Sequence, residues 1–253
     1  MIPPLGVEQE MTLLLSALRL PTASEEMARR LREAGQASAL PVVLEVLRAE
    51  AEGRKARRVE RLRKTSKLPM GKTLATLDST IFGLGLQQSI RELATGRFLD
   101  QAVNVLAFGL PGTGKTHVGC ALGHALIEAG HSVLFTPAYK LVQDLLVAKR
   151  ALELPRALRK LDTHELIIVD DIGYIKQQPD EVEVLFTLMA ERYERRSLMI
   201  TSNLVFSEWD QIFQNPMTTA AAVDRLVHHS VILEFDVPSY RTASKLAAAE
   251  GRA

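Results

Sequence analysis

The chain has 253 residues, 47% hydrophobic and 24% charged, with a formal net charge of +1, an ordinary globular composition with room for one sizeable core and a small extra module. A single cysteine, Cys120, excludes an internal disulfide. No apolar stretch is long enough to span a membrane, and Met1-Ile2-Pro3-Pro4 lacks the basic start and apolar core of a signal peptide, so the expected location is the cytoplasm.

The small net charge hides an asymmetry. Residues 1–75 carry 14 Lys+Arg against 9 Asp+Glu, and the remainder 17 against 21, so a basic module precedes a mildly acidic one. The basic part reads as helical. Glu8 to Leu20 is amphipathic and ends before Pro21. Thr22-Ala23-Ser24-Glu25 has the pattern of a capping box opening a second helix, which stops near Gly35. Pro41 opens a third, at a position where proline is tolerated, running to about Lys64. Leu68-Pro69-Met70-Gly71 then breaks the pattern. The expected division is a helical module over 1–70 and a larger domain over 76–253. In the larger part, strands expected at Val103–Phe108, Ser132–Thr136, Glu165–Asp170, Leu198–Ser202 and Val231–Phe235 alternate with helical stretches. That order predicts an α/β fold, a five-stranded parallel sheet between helices.

After the first of these strands comes Gly109-Leu110-Pro111-Gly112-Thr113-Gly114-Lys115-Thr116, which fits the phosphate-binding pattern G-x-x-x-x-G-K-[ST], or Walker A. A helix follows, from His117 to Glu128, and Gly130 ends it. Glycines let a phosphate approach the backbone, and loop amides with a helix N-terminus cradle the anion. In such a loop Lys115 serves the β- and γ-phosphates and the Thr116 hydroxyl serves Mg²⁺. Leu166-Ile167-Ile168-Val169-Asp170-Asp171 reads as a buried strand ending in two acids, as a Walker B motif does. Asp170 is the expected Mg²⁺ ligand and Asp171 the group that polarises the attacking water; two solvated acids at a strand end are the plainer alternative. Asn203, closing Leu198-Met199-Ile200-Thr201-Ser202-Asn203, either orients that water or caps a turn. Arg225 and Arg241 are suited to stabilising charge on a transferred phosphoryl group, and equally to a surface ion pair. Cys120 reads as a small buried apolar residue. His228 and His229 are adjacent, adjacent residues on a helix point about 100° apart, and no nearby Cys or acidic partner is expected to complete a ligand set, so no metal is expected there.

Taken together, the chain resembles the AAA+ ATPases, and in particular the IstB-type helper ATPases of insertion-sequence transposition, which are related to DnaC-type helicase loaders. The similarity runs from Lys72-Thr73-Leu74 through Gly109–His117, Leu166–Asp171 with Ile172-Gly173-Tyr174, and Thr201-Ser202-Asn203. It continues through Phe206-Ser207-Glu208-Trp209, Asp224-Arg225-Leu226-Val227-His228-His229 and Ser239-Tyr240-Arg241. It implies that Gly109 to His117 hold the nucleotide, that Asn203 is a first sensor, that Arg225 is a finger reaching a neighbouring subunit's ATP, and that Arg241 is a second sensor acting in cis. It therefore implies a prokaryotic protein that self-associates into an ATP-bridged oligomer. There are two departures. The second acid is Asp171 where many AAA+ proteins carry Glu. The segment before the first helix, Leu77-Asp78-Ser79-Thr80-Ile81-Phe82-Gly83-Leu84, keeps aromatic character only at Phe82. The stretch after Arg241 is also short for a helical lid.

Two basic stretches are DNA-binding candidates: Arg54, Lys55, Arg57, Arg58 and Arg61 in the N-terminal module, and Lys149, Arg150, Arg156, Arg159 and Lys160 between the second and third strands, where the resemblance implies a channel-lining helix. Both stretches are also compatible with solvated helices. No aromatic residue interleaves them, which disfavours base stacking on single strands and favours duplex binding to phosphates. The function implied is that of an ATP-dependent, Mg²⁺-dependent ATPase that assembles on DNA and assists the transposase of the same element. The alternatives are a DnaC-type helicase loader acting in replication, and a metabolite kinase, for which neither an acceptor site nor an arginine-rich lid is visible.

Overall fold

The computed structural model describes residues 6–174, 178–205, 208–209, 220 and 224–240, and the chain divides into two compact units, Met1–Arg61 and Leu62–Ala253. The first unit is helical: α1 (Val7–Ala17), α2 (Pro21–Glu33) and α3 (Leu40–Thr65), the last continuing into the second unit. Met11 and Leu15 of α1 and Leu40 and Leu44 of α3 are buried at its centre, with Met27 and Leu31 of α2 packed against them.

Two local expectations need correction here. The first helix stops at Ala17, because Arg19 turns left-handed (φ +60°) and Leu20 N–H donates to Leu15 O at 2.9 Å, closing the last turn. The second has no capping box. It starts at Pro21, with Leu20 as N-cap and no side-chain cap; proline's fixed φ sets the first turn instead, which places Thr22 to Glu25 inside the helix.

The second unit is a three-layer α/β structure. Its strands are β1 (Asn104–Gly109), β2 (Val133–Pro137), β3 (Leu166–Asp170), β4 (Ser197–Ser202) and β5 (Ser230–Phe235), each within two residues of the expected positions. They form one sheet in the order β2-β3-β4-β1-β5, with every pair parallel. The helices are α4 (Leu84–Leu93), α5 (Arg97–Asp100), α6 (Lys115–Glu128), α7 (Ala138–Arg150), α8 (Leu154–Asp162) and α9 (Pro179–Arg192). The three central strands β3, β4 and β1 are buried on both faces, as their continuous apolar runs require. Strand β5 lies at an edge and alternates, with Leu233 and Phe235 buried and Ile232 and Glu234 exposed.

This order decides where chemistry can occur. Strand β4 lies between β1 and β3, so its C-terminal end falls between the loop leaving β1 and the acids leaving β3. Loops at the carboxyl edge of a parallel sheet are where such folds bind ligands.

Candidate functional site: a nucleotide pocket at the carboxyl edge of the sheet

The loop after β1 owes its shape to its glycines. Gly109 has φ +152°, and a Cβ there would lie 2.6 Å from the Phe235 carbonyl oxygen of β5. Gly114 has φ +102° and is the N-cap of α6, with no side-chain cap. It opens a 14-residue helix, and the N-terminus of a helix is the end whose backbone N–H groups and dipole suit an anion. Thr113 Oγ1 closes the loop by donating to Leu110 O at 2.8 Å. Lys115 is folded back into the loop and nearly buried. Its Nζ donates to Gly109 O at 2.6 Å, Leu110 O at 2.8 Å and Asn203 Oδ1 at 2.8 Å.

The acids lie beside it. Thr116 Oγ1 donates to Asp170 Oδ1 at 2.9 Å. A carboxylate and a hydroxyl at that distance are hard oxygen donors of the kind Mg²⁺ takes together with phosphate oxygens and water, so the pair fits the ion. Asp171 sits in the left-handed region at φ +67°, where Asp and Asn are the best tolerated of the non-glycine residues. That gives the departure from Glu a backbone reason. Asn203 bridges the site: it receives Lys115 on Oδ1 and donates from Nδ2 to Asp171 Oδ1 at 2.9 Å.

These groups open onto one cleft. Its walls are Pro111 to His117, Asp171, Thr201, Asn203 and Tyr240 on one side, and Lys72, Thr76, Leu77, Asp78, Ile81 and Phe82 on the other. His117 Nε2 lies 3.2 Å from Thr76 Oγ1. Phe82 is buried edge-on against Phe235, with centroids 5.5 Å apart, and packs under Gly114, so it braces the loop; Leu77 and half-exposed Ile81 supply the apolar wall. Tyr240 N–H donates to Gly112 O at 3.0 Å, and its ring is exposed. Sequence reasoning assigned nothing to Thr76, Thr201 or Tyr240. Thr201 and Tyr240 stood inside the motifs quoted above, but their contacts depend on the fold.

Comparison with known proteins places this chain in a family. A family model described as IstB-like ATP binding protein matches residues 12–248. The chain belongs to that family. It is 41% identical over 248 residues to a Sinorhizobium fredii protein named as an insertion sequence ATP-binding protein, covering 97% of this chain and 83% of that one. It is 36% identical over 239 residues to a Pseudomonas aeruginosa protein named for ATP binding in insertion sequence IS21, covering 93% and 90%. Among solved structures, the DnaC helicase loader aligns with a TM-score of 0.57 at 16% identity, over 66% of this chain and 98% of that one. AMPPCP-bound DnaA from Aquifex aeolicus aligns at 0.55 and 16%, over 67% and 51%. The fold is the AAA+ P-loop fold, and this member of the IstB-like family is an ATP-binding protein.

The remaining predicted residues are distributed as follows. Arg225 lies in a helical stretch described over residues 224–227, with its guanidinium carbon 4.8 Å from the Phe186 ring centroid of α9, and it does not line the cleft. Arg241 and the stretch after it, together with Phe206 and Ser207, lie outside the described residues. Among the DNA candidates, several are engaged with the protein. Lys149 donates to Asp180 at 3.2 Å and Glu183 at 2.8 Å. Arg54 and Arg57 share Glu50, Arg54 also reaches Leu18 O, and Arg156 pairs with Glu153. Lys55, Arg58, Arg61, Arg150, Arg159 and Lys160 are exposed. One expectation is corrected: an acid does stand beside the histidines. Glu194 Oε1 lies 3.7 Å from His229 Nε2, a partner 35 positions away in sequence. The ligand atoms of Glu194, His228 and His229 lie within 4.8 Å of one another and all three residues are exposed; a tetrahedral zinc holds its ligands closer, about 3.4 Å apart for metal–ligand bonds near 2.1 Å. Cys120 is fully buried, and burial pushes its thiol up to about 12.

Proposed function

We propose that this protein is an ATP-dependent, DNA-binding ATPase that assembles on DNA and assists the transposase encoded by the same insertion sequence, with ATP hydrolysis used as a switch. The observation that carries the reading is the convergence, in an IstB-like chain, of Lys115, Thr116, Asp170, Asp171 and Asn203 on one cleft. In this reading the loop amides and Lys115 bind the phosphates. Lys115 exchanges its two carbonyls and Asn203 for phosphate oxygens. Thr116 and Asp170 hold Mg²⁺, which when bound supplies charge neutralisation across the β- and γ-phosphates. Asp171 polarises the attacking water and Asn203, freed from Lys115, orients it. Tyr240 ties the chain just before Arg241 to the loop, which supports a role for Arg241 in cis. Arg225 is turned onto α9 and away from its own cleft, which supports a finger offered to a neighbouring subunit.

The proposed phosphate contacts to duplex DNA are the exposed Arg150, Arg159 and Lys160 in the larger unit and, as a separate stretch in the helical unit, Lys55, Arg58 and Arg61 of α3. The ion pairs of Lys149, Arg54, Arg57 and Arg156 are at the surface, where solvent and salt screen them; phosphates can displace them. The test is fluorescence anisotropy on labelled duplex and single-stranded DNA of equal length, at fixed salt, with a slowly hydrolysed ATP analogue, with ADP and without nucleotide. An ATP-dependent preference for duplex is the expected result. Preference for the single strand would favour a helicase loader, and binding in no state would remove the DNA-binding part of the proposal.

A further inference from the structure

The end of β4 holds a group that the proposed roles leave unused. Thr201 lies two residues before Asn203, is 1% exposed and stands opposite Ala107 of β1. Its hydroxyl donates to Asp170 Oδ1 at 2.8 Å and accepts the Asp171 backbone N–H at 2.8 Å. A hydroxyl has one proton, and this one spends it on Asp170. Thr116 places its own proton on the same oxygen at 2.9 Å. Two donors on Oδ1 fix the plane of the carboxylate and direct Oδ2 to whatever lies beyond. The second bond acts on the neighbour. Asp171 is held at φ +67°, a conformation costly for an L-residue, and its N–H is anchored to the same hydroxyl. One side chain therefore sets both acids.

We propose that Thr201 is a positioning residue for the Mg²⁺–ATP reaction: its hydroxyl aims the Asp170 carboxylate at the ion and holds the Asp171 backbone so that its carboxylate faces the attacking water. The inference rests on the roles proposed above for Asp170 and Asp171. A hydroxyl that merely closed the strand end would influence folding alone, so the two roles separate in experiment.

The variants are Thr201→Val, which keeps the shape and removes the hydroxyl, and Thr201→Ser, which restores it. The readouts are the affinity for a fluorescent ATP analogue in EDTA and in Mg²⁺, kcat and KM for hydrolysis, and the melting temperature. Thr201→Val is expected to bind the analogue in EDTA as the wild type does. Its gain in affinity from Mg²⁺ and its kcat should each fall by about 10- to 100-fold, the usual cost of losing a group that orients a metal ligand. Thr201→Ser should recover both to within a few-fold. An unchanged Mg²⁺ response and kcat in Thr201→Val would overturn the proposal. So would equal losses in EDTA and Mg²⁺, or a serine variant as impaired as the valine one. Should Thr201→Val fail to fold, Thr201→Ala is judged against Thr201→Ser by the same readouts. A wild-type protein whose nucleotide binding ignores Mg²⁺ would instead overturn the reading on which the inference rests, and that is seen before any variant is made.

Discussion

At the scale of single residues, the cleft stores a conformation that the sequence motif alone does not specify. Asp171 combines a left-handed backbone with a side chain bound to Asn203, and its two properties can be separated. Asp171→Asn keeps the shape and the tolerance for φ > 0 but removes the carboxylate proposed as the base, so hydrolysis should fall by about 10²- to 10⁴-fold, as for loss of a general base, with ATP affinity held. Asp171→Ala should lose hydrolysis as well and in addition be less stable than Asp171→Asn by about 1 kcal/mol, the cost of a left-handed conformation in a residue without a short polar side chain. Equilibrium ATP binding and thermal melts on the two variants check both statements; equal melting temperatures would remove the backbone explanation for Asp at this position. Cys120 gives a second residue-scale expectation. Burial disfavours the charged thiolate and pushes the thiol to about 12, so at neutral pH almost none of the reactive form exists. A thiol reagent should label the folded protein only at the rate at which α6 opens and label the denatured chain at once; rapid labelling of the native protein would contradict the burial.

At the scale of elements, the strands were legible because their physical cause is written locally. Runs such as Leu166–Val169 and Leu198–Ile200 are short, apolar without interruption and closed by polar residues, as a strand buried on both faces requires. The loop at Gly109–Thr116 was legible for the same reason: its glycines are demanded by its own backbone. What was not legible depends on neighbours distant in sequence. Thr201 meets Asp170 and Asp171 because β3 and β4 are adjacent, and Glu194 meets His229 because the turn after α9 and the turn before β5 lie at the same edge. Lys149, which reads as a phosphate contact, is tied to Asp180 and Glu183 of α9. Trp209, quoted as a family mark, is fully buried and packs near Phe108, so its place in the motif reflects packing. Arg192 is the clearest element-scale case. It ends α9, is 2% exposed, and its guanidinium donates to the carbonyls of Leu161, His164, Glu165 and Ser197. It joins α8 to the entries of β3 and β4. Burial pulls its pKa down to about 10, which still leaves it charged at neutral pH. Leu161 O and Glu165 O keep the N–H groups of His164 and Ser197 as donors, so Arg192→Ala removes the guanidinium chiefly from the half-buried His164 carbonyl and the buried Ser197 carbonyl, at about 1–3 kcal/mol each. The net loss should be at least about 2 kcal/mol, or about 4–8 °C in melting temperature for a unit of this size. Scanning calorimetry measures it, and a change under 2 °C or so would mean that water replaces the guanidinium freely.

At the scale of the whole molecule, the question is whether one chain contains a complete catalytic site. The cleft gathers its loop, its acids and Asn203 from β1, β3 and β4 of one sheet, but Arg225 stacks on Phe186 and is absent from the lining. If the developing charge on the γ-phosphate is met by Arg225, that arginine must come from another copy, and each interface must join the cleft of one subunit to the helical stretch at residues 224–227 of the next. Such a contact is head-to-tail and heterologous. It makes a prediction no single-chain mechanism shares. Arg225→Ala should bind ATP and fail to hydrolyse it, because its clefts are intact but its fingers are missing. Lys115→Ala should fail for the opposite reason, with fingers present and clefts defective. Mixed in equal amounts under conditions that allow subunit exchange, random pairing places an intact cleft against an intact finger at about a quarter of the head-to-tail interfaces, so hydrolysis should recover to that fraction of wild type although both components are inactive. Steady-state phosphate release across a titration of one variant into the other measures it. A mixture as inactive as its parts, in a protein that still assembles, would place Arg225 in the site of its own subunit or outside the reaction altogether.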